Sequence, residues 1–256
     1  MIKIIFFDVD GTLLPMGQKK LSNKTIYALN QCKENGIKIF IATGRPASIA
    51  PHFDEVEFDG LLSFSGQLCE DQKGIIYKNN LKKEEVNQVY LNSKNMNIPI
   101  MMADQRTSAM NYHGKDLDQY IKLVNVKVDI NDDFDEYVTH DIYQIIAAIP
   151  KEKEEELLKG TNTLQCARWC DIACDIIPKV GGKEIGIQKI LDYYGYTKEE
   201  SMSFGDGGND KTMLEYTGIG VAMGNAKNEV KEIADYITLN VEDEGIYEAL
   251  KHFKLI

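Results

Sequence analysis

Apolar residues arrive in short runs near the two ends of the chain, with amphipathic stretches between them. "KIIFFD" (3–8) is a continuous apolar run closed by an acid. That pattern predicts a strand buried on both faces. "SNKTIYALNQCKENG" (22–36) opens on a serine, spaces its apolar residues at helical intervals and closes on glycine, which predicts a capped amphipathic helix. "IKIFIA" (37–42) and "GLLSFS" (60–65) predict two more strands. The alternation resumes late in the chain. A helix is expected from about Lys183 to Tyr194, then strand "SMSFGD" (201–206), a helix from about Asn209, strand "GIGVAM" (218–223), a helix near 227–234 and strand "YITL" (236–239). Apolar strands alternating with helices predict an α/β fold, a Rossmann-like, doubly wound parallel sheet covered on both faces.

The middle of the chain is patterned differently. A helix is expected at 83–95, strands near 99–103 and 107–112, and a helical stretch near 116–124. "IYQIIAAI" (142–149) predicts a strand, the charged run "KEKEEELLKG" (151–160) a solvated helix, and 163–168 and 172–177 two closing strands. Strands in pairs predict an α+β module with an antiparallel sheet. The expected organisation is a core made of 1–81 and 179–256, interrupted by an inserted α+β domain at 82–178. No internal repeat or low-complexity segment interrupts this plan.

Composition narrows the class. The 256 residues are 43% hydrophobic and 27% charged, as in ordinary globular proteins. No apolar run approaches the roughly 18 residues of a membrane span, and "MIKIIFFDVD" is expected to be a buried strand rather than a signal peptide. The net charge of −11 is spread along the chain without a basic stripe, so neither nucleic acid nor a membrane is the expected partner. It would also repel anionic substrates at long range, so any phosphate chemistry must rest on local cations. The five cysteines (32, 69, 166, 170 and 174) are expected to be free thiols in a cytoplasmic protein. Three of them fall in "CARWCDIAC", which invites a metal reading. The segment lacks a CxxC pair and a nearby histidine, so buried thiols are the expectation. A monomer is the default, with an oligomer left open.

The candidate chemistry sits where the parallel strands end, the edge at which open α/β sheets place ligands. Asp8 and Asp10 close the first strand. Side chains two apart in a strand share a face, so the two acids are expected side by side. With Asp206 they form an all-oxygen cluster that selects Mg²⁺ over zinc, and a dication lets like charges ionise together. After the second strand, "IATGRP" offers the Thr43 hydroxyl and the Gly44 N–H, either as donors to a phosphate oxygen or as an ordinary helix cap. Lys183 follows "VGG" at a helix start, where it opposes the helix dipole, or is simply solvated. "FGDGGND" delivers Asp206 toward the metal. It also places Asn209 to donate to phosphate and Asp210 to orient a metal-bound water or Lys183.

"DVDGTL", "TGR", Lys183 and "GDGGND", in that order, resemble the haloacid dehalogenase superfamily of phosphohydrolases, more narrowly its Cof-type branch with a large C2B-type cap. Spacing agrees with the cap type. Thr43 and Lys183 stand 140 residues apart, far beyond the roughly 30 of one βαβ unit, so the insertion lies after the third strand. The resemblance implies a Mg²⁺-dependent phosphatase acting on small phosphorylated metabolites. Asp8 would be the nucleophile and a metal ligand. Asp10 would be the general acid and base, its backbone carbonyl also on the metal, and Asp206 would complete the metal site. Thr43, Gly44, Lys183 and Asn209 would hold the phosphoryl oxygens. A phosphomutase, or a regulator that merely binds phospho-ligands, are the alternatives, and the complete set of acids favours an enzyme. Relatives often carry Asn-Gly-Ala after the third strand, where this chain has Ser65-Gly66-Gln67. Arg168 and Trp169 look like an Arg-Trp pair of some relatives near the return from the cap. The arginine would either face substrate or pair with an acid.

Overall fold

The structure is a computed structural model that describes residues 1–123, 126–168 and 171–256. It divides into two compact units. One comprises Met1–Gly44, Ala50–Lys78 and Gly182–Ile256, and the other Arg45–Ile49 and Asn79–Gly181.

Among the described residues of the first unit, eight strands form one sheet. Their order is Tyr236–Ile237, Ile219–Ala222, Ser201–Gly205, Ile4–Phe7, Lys38–Ala42, Gly60–Ser63, Leu68–Asp71 and Gly74–Lys78. The first six run parallel. The last two form an antiparallel hairpin that the apolar pattern does not predict. Ile4–Phe7 lies inside the sheet, and its alternate side chains enter opposite layers. Ile5 and Phe7 pack with Leu29 and Cys32 of helix Asn23–Glu34 and with Ile246 and Leu250 of helix Gly245–His252. Ile4 and Phe6 pack with Ile187, Ile190 and Leu191 of helix Lys183–Tyr194 and with Met213 and Leu214. Each such side chain contributes about 2–3 kcal/mol of apolar burial. This is why the run shows no polar alternation. Ser22 caps the first helix, its hydroxyl accepting the Thr25 N–H at 3.0 Å. Because the six strands are parallel, Asp8, Thr43, the turn Phe64–Gly66 and Asp206 all emerge at one edge.

The second unit holds a six-stranded sheet among its described residues, in the order Leu164–Ala167, Cys174–Pro178, Gln144–Ala147, Ile100–Ala103, Ser108–Met110 and Asp129–Ile130. All neighbours are antiparallel except the last pair. Helix Lys83–Met96 covers one face through Val86 and Val89, and helix Lys115–Leu123 covers the other through Leu117 and Tyr120. The charged run expected to be one helix breaks into a 3₁₀ turn, Lys151–Lys153, and a single helical turn, Glu154–Leu157. Three adjacent glutamates repel, and only Leu157 there is buried. None of the described helices is long and apolar enough to cross a membrane.

Asp175 lies buried on Cys174–Pro178, one strand in from the edge of this second sheet, with one carboxylate oxygen lacking a hydrogen-bond partner. Burial pushes its carboxyl up to about 7, against a weaker opposing pull from the Gln144 side chain. The folded state therefore favours the protonated acid. The stability it contributes is complete below the unfolded value near 4 and is lost as pH rises through about 7. Asp175→Asn removes this dependence, on the order of 4 kcal/mol. Denaturant midpoints at pH 4 and pH 8 should show the variant gaining on the native chain as pH rises. Parallel curves would mean that the carboxyl is solvated.

Candidate active site

Asp8 makes the last rung of its strand, donating its N–H to Phe204 O at 3.0 Å. The chain then folds back on itself, with the N–H groups of Leu13 and Leu14 donating to Asp8 O and Val9 O. Gly11 sits in this turn at φ +86°, and a Cβ there would overlap the Asp206 carboxylate. Glycine is required twice over, by conformation and by contact. Buried Thr12 donates its hydroxyl to Asp206 Oδ1 at 3.0 Å. Asn225 pins the loop by donating to Gly11 O at 2.8 Å while accepting the Val241 N–H at 2.9 Å. Neither Thr12 nor Asn225 is predicted from the sequence. Their partners lie 194 and 214 residues away in the chain.

Lys183 opens its helix with the ammonium fully buried. Its three donors go to Asp8 Oδ1 at 2.6 Å, Asp210 Oδ1 at 2.5 Å and Ala42 O at 2.7 Å. It is not the solvated lysine of the plainer expectation. Asp210 uses its other oxygen to accept the N–H groups of Asp206 and Gly207 at 3.0 and 2.9 Å, so it fixes both the lysine and the loop that carries Asp206. Carboxylate oxygens of Asp8, Asp206 and Asp210 lie within 4.8 Å of one another. The carboxylate of Asp10 is not one of these three, though it stands near enough to Asp206 to raise that carboxyl. The strand ends at Phe7 and the turn begins, so the two-residue spacing no longer fixes a face.

Two buried acids, Asp8 and Asp210, thus hold one buried cation, with the half-buried Asp206 beside them. Burial raises the Asp8 carboxyl well above its usual range, and Asp210 raises it further while Lys183 pulls it back. Burial, then Asp210, push Asp206 up to about 7, against the Thr12 hydrogen bond. For Lys183, burial alone would lower the ammonium, but Asp210 and Asp8 outweigh it and the net shift is upward. The surplus is negative, and every donor in the group is a hard oxygen. These residues fit a small hard dication such as Mg²⁺.

The candidate phosphate donors meet beside this group. Thr43 is 1% exposed; its N–H donates to Leu62 O at 2.8 Å, and its carbonyl accepts the Ser65 N–H at 3.0 Å. A Cβ on Gly44 would stand 3.3 Å from Ser65 Oγ and 3.6 Å from Asn209 Nδ2, so these three positions adjoin. Ala42, which precedes Thr43, already holds Lys183. Ser65 occupies the left-handed region at φ 54°, ψ 40°. Asparagine adopts that conformation more readily than other L residues. Ser65 therefore adopts a conformation better suited to asparagine.

Arg168 is committed within the second unit. Its Nε donates to Glu154, and its Nη atoms donate to the carbonyls of Asp171, Ala173 and Ile149 at 3.1, 3.3 and 2.6 Å. Of the two arrangements expected for it, pairing with an acid is the one seen. Trp169 and Cys170 lie outside the described residues. Cys32, Cys69, Cys166 and Cys174 are free thiols.

A family model for haloacid dehalogenase-like hydrolases matches residues 5–250. The chain is 31% identical over 257 residues to the putative phosphatase YkrA of Bacillus subtilis (strain 168), covering 99% of this chain and 98% of the relative. It is 29% identical to the 5-amino-6-(5-phospho-D-ribitylamino)uracil phosphatase YitU of the same organism, covering 98% and 97%. Among solved structures it is similar to the HAD subclass IIB sugar phosphatase BT4131, at a TM-score of 0.89 and 34% identity over 99% of this chain and 100% of that one.

Proposed function

The chain belongs to the haloacid dehalogenase-like hydrolases and is a phosphoric monoester hydrolase of small phosphorylated substrates, and within that family we propose that it is a Mg²⁺-dependent phosphatase working through an aspartyl-phosphate. The observation that carries this reading is the Asp8 carboxylate, ion-paired to a fully buried lysine and grouped with Asp206 and Asp210 at the edge where the parallel strands end.

Asp8 would attack phosphorus through a carboxylate oxygen, as the resemblance of "DVDGT" to the family nucleophile implies. Lys183 orients that carboxylate and pulls against the burial that disfavours its charged form. Thr43, Gly44 and Asn209 are assigned to the phosphoryl oxygens, where positioning supplies most of the catalysis. Asp10 is assigned the proton given to the leaving alkoxide and later taken from water. Asp8 and Asp206 would hold Mg²⁺ with Asp10's backbone carbonyl, and Asp210 would align Asp206 through two N–H groups. When bound, the dication would neutralise charge on the phosphoryl group and on the acids around it. The inserted unit is assigned the choice of substrate. The sugar phosphatase and the ribitylaminouracil phosphatase among the relatives make small phosphorylated polyols or sugars the class to screen.

The test is a single turnover in ¹⁸O-labelled water, with and without chelator. Hydrolysis through Asp8 releases inorganic phosphate carrying one solvent oxygen, stops when metal is removed, and returns with Mg²⁺ without requiring zinc. An isomerised substrate with no solvent oxygen in phosphate would make the protein a mutase. Full turnover without metal would overturn the role of the acid cluster.

A further inference from the structure

The cysteine-rich segment "CARWCDIAC" takes no part in the chemistry above, yet the fold brings two of its thiols together. Strands Leu164–Ala167 and Cys174–Pro178 pair antiparallel, with Cys166 opposite Ile176, so Cys174 is its diagonal neighbour. Its S–H donates to Cys166 Sγ at 3.4 Å. A disulfide needs sulfurs about 2.05 Å apart, so a shift of little more than an ångström joins them. The two differ in access: Cys166 is half-buried, whereas Cys174 is buried at 1% exposure.

We propose that Cys166 and Cys174 are an oxidative modification site, a thiol pair that closes to an inter-strand disulfide when the protein meets hydrogen peroxide. Cys166, the accessible sulfur, attacks one peroxide oxygen. The O–O bond breaks, Cys166 becomes a sulfenic acid, and its thiol proton leaves with the other oxygen as water. The Cys174 sulfur then attacks the Cys166 sulfur, the S–O bond breaks, and the Cys174 proton leaves with the hydroxyl as a second water. Two thiols and one peroxide give one disulfide and two waters.

The surroundings support the pair over the other described thiols. Cys32 and Cys69 are fully buried, and Cys69 donates its S–H to Gly66 O. Burial holds both in the protonated, unreactive form, Cys32 up to about 12. The Cys174 proton is held more firmly still, first by its bond to Cys166 and then by burial, with the Arg168 guanidinium pulling the other way. Cys174 is therefore the resolving partner, not the first to react. Glu154 also approaches both sulfurs, but its carboxylate is already held by Arg168, which leaves the thiols to each other rather than to a cation.

The experiment treats the full chain with hydrogen peroxide, blocks remaining thiols with iodoacetamide, and maps the peptides by mass spectrometry. The expected product is a loss of two hydrogens, about 2 Da, in the peptide spanning both cysteines, reversed by dithiothreitol. Cys170→Ser should keep that loss, whereas Cys166→Ser and Cys174→Ser should each abolish it. The Cys174→Ser chain should instead carry a sulfenic acid at Cys166, trapped by dimedone. Loss of the bridge in Cys170→Ser, or sulfinic acid at Cys166 with Cys174 still alkylated, would overturn the proposal.

Discussion

Asp8→Asn should reduce phosphate release by at least about 10⁴-fold while the protein stays folded. The amide has nearly the shape of the carboxylate but no charge with which to attack phosphorus. Structural loss is not expected to confuse the result. Lys183 keeps Asp210 and Ala42 O as partners, and the substitution removes a carboxylate that burial already disfavours in its charged form. A thermal unfolding temperature equal to or above that of the native chain, with turnover at background, is the expected pair of results. Persistent turnover with an unchanged circular dichroism spectrum would mean that another residue attacks.

Lys183→Met should damage both stability and catalysis. The side chain is nearly isosteric, so packing survives, but two buried carboxylates lose their only close cation among the described residues. Breaking a buried pair from one side costs about 3–5 kcal/mol, or roughly 10 °C in the unfolding temperature of a chain this long. The sign of the pH dependence identifies the cause. Lowering the pH should restore part of the stability, because Asp8, already raised by burial, can then take a proton instead of pairing with an ammonium. Metal binding should persist, since its ligands remain. A stable variant at neutral pH would show that water reaches these acids and that the lysine is not structural.

The parallel half of the fold was legible because buried parallel strands announce themselves as unbroken apolar runs, as in "KIIFFD", and because helix Lys183–Tyr194 matches its expected span residue for residue. The hairpin Leu68–Asp71 and Gly74–Lys78 was not. Its second strand is short and largely exposed, so "GIIYK" (74–78) carries only a three-residue apolar run. Helix Gly245–His252 was missed for want of an N-cap, Glu244 before it being left-handed. In the site, "GDGGND" correctly pointed to Asp210 as a partner of Lys183, because sequence order alone brings a strand end and a helix start together. The Thr12 bond to Asp206 and the strained backbone of Ser65 depend on neighbours remote in the chain, which no local pattern encodes.

The contact between Asp8 and Lys183 spans 175 residues, and this separation bears on how the protein is born. A ribosome adding about 5–20 residues per second makes Asp8 roughly 10–35 s before its counter-cation. The second unit, Asn79–Gly181, is complete in the interval and can condense on its own contacts, while the strand Ile4–Phe7 waits for Ser201–Gly205 to flank it. Catalytic competence is thus among the last properties the nascent chain acquires, and a chain halted before Asp206 would have no phosphatase activity.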